Sequence, residues 1–117
     1  MENAFLFELP DFIVRANGVP RVLAAPEARM GFVLELARDN VAAGGGPFAA
    51  AVFEQESGRL LAAGANRVVA NHCSSAHAEI VALSLAQARL GNHDLGAAGL
   101  PACELVTSAE PCLMCLG

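Results

Sequence analysis

Lysine, tryptophan and tyrosine are all absent from this chain, and its positive charge is sparse. The basic residues are Arg15, Arg21, Arg29, Arg38, Arg59, Arg67 and Arg89, scattered along a sequence whose net charge is −5. A protein that grips a polynucleotide clusters Lys and Arg to neutralise phosphates. No such cluster exists in the sequence, so no nucleic-acid partner is expected. Long apolar runs are missing too. The longest uncharged stretch, residues 40–53, is glycine-rich and shorter than the ~20 residues a spanning helix needs. Met1-Glu2-Asn3, followed by Glu8 and Pro10, lacks the basic start and apolar stretch of a secretory signal. The expectation is therefore a cytoplasmic protein with no membrane partner. In a reducing compartment, Cys73, Cys103, Cys112 and Cys115 serve metals or catalysis more often than disulfides.

What is present is a globular composition, with 55% hydrophobic and 16% charged residues, which excludes intrinsic disorder. The 117 residues suit one domain. Residues 1–25, broken by Pro10, Gly18 and Pro20, are expected to form an irregular N-terminal arm. Phe5, Phe7, Phe12 and Ile13 would pack it on the body or on a second subunit. Pro26 suits a helix start. Met30, Val33, Leu34, Ala37 and Val41 then recur at helical spacing until Gly44-Gly45-Gly46-Pro47 stops the helix. Phe48 to Phe53 reads as a strand buried on both faces, and Leu60 to Ala65 as a second after the Ser57-Gly58 turn. A well-buried helix is predicted from Ser75 to Leu90, a loop over 91–101, a strand at Leu105-Val106-Thr107 and a further helix opening at Glu110-Pro111. This order predicts an α/β sheet covered by helices. Gly117 falls barely one turn into the last helix, so residues 26–117 read as a domain that is incomplete at its C-terminus.

The chemistry concentrates in two short motifs. Cys112 and Cys115 lie three apart at a predicted helix start, on one side of the helix. Helix N-termini also favour thiolate, the form that binds zinc. His77 and Glu79 lie in the predicted first turn of the preceding helix. Two positions apart, they are about 200° around the wheel and converge only on something beyond the helix tip. A zinc ion on His77, Cys112 and Cys115 keeps a fourth position open, as catalytic sites do. Two thiolates and a neutral imidazole cancel the metal charge, so a carboxylate is needed to move the water proton. Glu79 is the candidate. Taken singly, the Cys pair also fits a redox couple, and Cys73 or His72 would close the shell of a structural zinc. The combination H-x-E with a later P-C-x-x-C is the pattern of zinc deaminases.

From about residue 26 to Gly117 the chain resembles the cytidine and deoxycytidylate deaminase superfamily. The resemblance rests on Gly46-Pro47-Phe48, Asn66-Arg67-Val68, His77-Ala78-Glu79-Ile80 and Glu110-Pro111-Cys112-Leu113-Met114-Cys115-Leu116-Gly117. Within the superfamily it is most similar to bacterial guanine deaminases, with Ala49 where glycine is common. The resemblance implies a three-layer α/β/α fold with a mixed sheet, whose C-terminal strands and helix are missing from this chain. It implies that Asn66 hydrogen-bonds a small nucleobase and that Phe48 stacks near it. It also implies a homodimer that exchanges C-terminal parts. The activity implied is zinc-dependent conversion of guanine to xanthine and ammonia, or deamination of an aminotriazine such as ammeline. A tRNA adenosine deaminase and a cytosine or cytidine deaminase are the enzymatic alternatives. A structural zinc module or an inactive deaminase subunit is the non-enzymatic one.

Overall fold

A computed structural model describes residues 9–68 and 77–109. Its first element, α1 (Asp11–Gly18), lies where an irregular arm was expected. Pro10 and Gly18 bound this helix instead of breaking it. Pro10 sits at the N-cap with φ −70° and ψ 158°, where a missing N–H costs nothing. Asp11 stands in the first turn, on the side that the helix dipole favours for an anion. Ile13 and Ala16 are buried, and Phe12 packs against the same core. Of the two readings of the arm, packing on the body holds for Phe12 and Ile13. Phe5 and Phe7 lie outside the described residues.

α2 (Pro26–Ala42) starts at the expected proline and stops before the glycine run. Gly44 has φ +88°, a conformation that side chains other than Gly resist. The buried face is Arg29, Phe32, Val33, Leu36, Ala37 and Asn40. Of the residues at helical spacing, Val33 and Ala37 are on this face, but Met30, Leu34 and Val41 are 40%, 50% and 52% exposed. Two polar residues take the core side because each is hydrogen-bonded there. Arg29 donates to the carbonyls of Leu23, Ala24 and Gln55 and pairs with Glu104 at 3.0 Å. Asn40 ties two loops together, as described below.

β1 (Ala49–Glu54) is the central strand of the order β2-β1-β3, between β2 (Leu60–Ala65) and β3 (Cys103–Thr107). Both pairings are antiparallel, so β2 and β3 run the same way. The unbroken apolar run of β1 follows from its burial on both faces. Ala49, Ala51 and Phe53 face α1 and α2, while Ala50 and Val52 face the third helix. β2 follows suit with one irregularity: the register shifts between Val52 and Phe53. This bulge puts Leu61 and Ala62, neighbours in sequence, in the same core and returns Leu60 to the other. The described residues thus form the expected α/β/α layers.

The outer edge of β2 is covered by α1 and the segment after it. Asn17 donates through Nδ2 to the Ala63 carbonyl at 3.0 Å and accepts the Ala63 N–H at 2.7 Å. One side chain thereby does the work of a neighbouring strand. Val22 bridges Arg59 next to it. Replacing Asn17 by alanine leaves both Ala63 groups unpaired and is expected to cost about 1–3 kcal/mol, read from chemical denaturation.

α3 (Ala78–Leu90) ends at Gly91, which adopts the left-handed conformation. The helix lies against β2 through small residues. A Cβ built on Gly64 would stand 2.6 Å from the Ala82 nitrogen and 2.8 Å from the Ala78 carbonyl oxygen. β3 begins two residues earlier than predicted, at Cys103. The helix expected at Glu110-Pro111 lies outside the described residues. No helix among the described residues is long and apolar enough to cross a membrane.

Candidate active site

The pairing register brings the candidate residues to one end of the sheet. Ala49 at the start of β1 faces Ala65 at the end of β2, and Ala50 faces Thr107 at the end of β3. Phe48 and Asn66 flank the first of these pairs, joined by a hydrogen bond from the Asn66 N–H to the Phe48 carbonyl at 3.0 Å. Ser108 closes the other side: its hydroxyl and its N–H both engage the Ala49 backbone at 3.0 Å. The tip of α3 reaches the same end because Ala78 lies against Gly64. Its neighbours in sequence are His77 and Glu79.

His77 is the N-cap of α3, with φ −67° and ψ 153°, not a first-turn residue. Its carbonyl accepts the Val81 N–H at 2.9 Å, and its side chain makes no capping bond. The wheel argument therefore does not apply to His77. Its extended backbone sets its direction, and the imidazole is half-buried. Glu79 is in the first helical turn and is 9% exposed. Among the described residues its carboxylate has no hydrogen-bond or ion-pair partner. Burying such a group is costly unless something at the site compensates. The helix N-terminus supplies part of that compensation, and a cation next to His77 fits the remainder.

Cys112 and Cys115, with the rival ligands His72 and Cys73, lie outside the described residues. The chain leaves β3 at this end of the sheet, and Ser108 is four positions before Cys112. Four residues reach at most about 14 Å, so the sequence can return a thiol to this region. Cys103 is at the opposite end, paired in register with Glu54. Burial, reinforced by the Glu54 charge, raises its thiol pKa above the ordinary value. It therefore stays protonated near neutrality, unlike a zinc-bound thiolate. Glu79, buried without a partner among the described residues and two positions after His77, has the chemistry expected next to a bound cation.

Phe48 is 43% exposed and stands outside the strand, so it is not the core residue its position allows. Asn66 is half-buried, and its Oδ1 accepts the Val68 N–H at 3.3 Å. The turn role is thus real, but it occupies only the oxygen. The Asn66 Nδ2 has no partner among the described residues and remains a donor at this end of the sheet. Sequence reasoning overlooked Asn40 and Ser108. For Asn40 a signal existed, since it lies three or four residues beyond Leu36 and Ala37, on the buried stripe of α2. Ser108 carried none.

Residues 25–117 match the family described as the cytidine and deoxycytidylate deaminase zinc-binding region. A solved guanine deaminase from Nitrosomonas europaea is 71% identical and superposes with a TM-score of 0.96, covering 98% of this chain and 63% of that one. The solved protein NE0047, in complex with 2,6-diaminopurine, is 72% identical, also with a TM-score of 0.96, over 98% of this chain and 61% of that one. The guanine deaminase of Bacillus subtilis (strain 168) is 43% identical over 83 residues, which are 70% of this chain and 49% of that protein. The chain thus spans about half of this curated relative's length.

Proposed function

Because the chain belongs to the cytidine and deoxycytidylate deaminase family through its zinc-binding region, we propose that it is a zinc-dependent aminohydrolase acting on a free nucleobase, with guanine the leading substrate. The observation that carries this reading is Glu79, buried without a partner among the described residues and two positions after His77, at the sheet end that also presents Phe48 and Asn66. Likeness to guanine deaminases and to a protein that binds 2,6-diaminopurine supports a purine over other bases.

His77, Cys112 and Cys115 would hold the zinc. When bound, the metal lowers the pKa of a water and so supplies a nucleophile at neutral pH. Glu79 takes a proton from that water and delivers it to the departing amine. An oxygen–carbon bond forms at the ring carbon bearing the amine, the carbon–nitrogen bond breaks, and ammonia leaves. Asn66 Nδ2 donates to an acceptor on the base, and the Phe48 ring lies along its face. A free base fits the dispersed arginines and the acidic net charge better than a polynucleotide. Residues 26–117 are the unit that carries this chemistry, preceded by the arm at 1–25. A cytoplasmic homodimer completes the proposal.

The test is ammonia release by zinc-loaded, full-length protein from guanine, ammeline, cytosine, cytidine and adenine. Release from guanine is expected, to be lost on chelation and restored by zinc. Release from the pyrimidines alone, or from no base, overturns the reading.

A further inference from the structure

The amide of Asn40 is completely buried, yet it touches none of the residues placed in the chemistry through their side chains. Its Nδ2 donates to the Gly46 carbonyl at 2.8 Å and to the Asn66 carbonyl at 3.0 Å. Its Oδ1 accepts from the Arg67 guanidinium at 3.1 Å. These bonds use both amide hydrogens and leave one orientation of the group consistent with its surroundings. The Asn40 backbone carbonyl accepts the Gly45 N–H at 2.8 Å, so the loop after α2 is folded onto the residue that anchors it. The fit is close. A Cβ on Gly45 would collide with the Asn40 Nδ2 and lie 2.9 Å from its Cγ.

The two carbonyls belong to the two segments that present the base-binding candidates. Gly46 precedes Phe48 by two residues and its carbonyl also accepts the Phe48 N–H at 2.8 Å. The other carbonyl is that of Asn66 itself. We propose that Asn40 is a positioning residue: it fixes the distance between Phe48 and Asn66, and thereby the width and affinity of the base slot. This rests on the nucleobase reading given above. The chemical step depends on His77 and Glu79, which sit at the tip of α3 and make no hydrogen bond with Asn40.

Asn40→Asp tests the link with almost no change in volume. It turns the amide donors into oxygen facing two carbonyl oxygens, while Arg67 keeps an acceptor. In zinc-loaded full-length protein, the KM for guanine and the Kd for 8-azaguanine are expected to rise about tenfold or more. Turnover at saturation should stay within about threefold. Gly45→Ala should give the same split by displacing the amide from the loop side, and it remains informative should Asn40→Asp fail to fold. A residue that mattered only for stability would lower the active fraction, hence turnover, with KM unchanged, and that result overturns the proposal. Amide exchange supplies a readout independent of activity. The Asn66 N–H should exchange faster in both variants than in wild type, and unchanged exchange also overturns the proposal. A wild-type protein that neither deaminates nor binds a purine refutes the function, while the exchange experiment still decides the role of Asn40.

Discussion

Replacing Glu79 by glutamine is expected to leave a folded, zinc-binding protein whose turnover is slower by about two to four orders of magnitude. Glutamine matches the carboxylate in shape but takes no proton from water and returns none to an amine. Zinc content should not change, because Glu79 is not among the proposed ligands. The stability of the metal-free protein should not fall either. Glu79 is buried without a partner among the described residues, and removing such a charge relieves a desolvation cost. Activity within tenfold of wild type would show that another group moves the proton. Loss of zinc together with activity would point to a ligand role instead.

Gly64→Ala should be damaging out of proportion to its size. The added methyl would meet the Ala82 nitrogen at 2.6 Å, the Ala78 carbonyl oxygen at 2.8 Å and the Val81 Cγ1 at 3.0 Å. Two of these three atoms are helix backbone, which does not rotate aside, so α3 must retreat as a body. Overpacking of this kind costs about 1–3 kcal/mol, measurable as a drop in unfolding midpoint. The retreat also carries the tip of α3 away from Phe48 and Asn66, so turnover should fall more than stability alone explains. Gly31→Ala is the control. Gly31 lies in α2 with open space around its would-be Cβ, and the change should stabilise by up to about 1 kcal/mol. Equal stability of the Gly64→Ala and wild-type proteins would mean that the close approach of helix and strand is not required.

Much of this arrangement can be read from residue order. β1 and β2 stand out because their apolar runs are bounded by Gly-Pro and Ser-Gly. α2 is delimited by Pro26 and the glycine run. The family is legible for a different reason: the spacing of His77, Glu79, Cys112 and Cys115 has few other uses, and residues 25–117 match a zinc-binding deaminase region. What escaped was whatever depends on partners distant in sequence. Met30, Leu34 and Val41 mimic a core face, yet the true face includes Arg29 and Asn40. Those two are buried because Glu104, Gln55, Gly46 and Asn66 supply their hydrogen bonds. Periodicity carries no information about such compensation. α1 escaped because proline and glycine mark the ends of a helix as well as its absence. His77 was displaced from first turn to cap because a helix start shifts easily by a residue when no capping side chain marks it.

The bulge in β2 has a consequence for how this sequence tolerates change. Along a regular strand, residues count off alternately to the two sides, and the site end and the hairpin end would share one count. The extra residue between Phe53's partner and Val52's partner resets that count. Ala63, Ala65 and the Asn66 that follows them keep time with the site, while Leu60 keeps time with the turn. Deleting either leucine removes the extra residue and leaves a regular ladder. The leucine that remains pairs with Phe53, while Ala62, Ala63 and Ala65 keep Val52, Ala51 and Ala49 as partners. The loss is then the volume of one leucine from the layer that also holds Ala62, with no side chain changing sides. The bulge is thus a store of slack in the chain: the strand can give up one residue here and stay in step with both its ends.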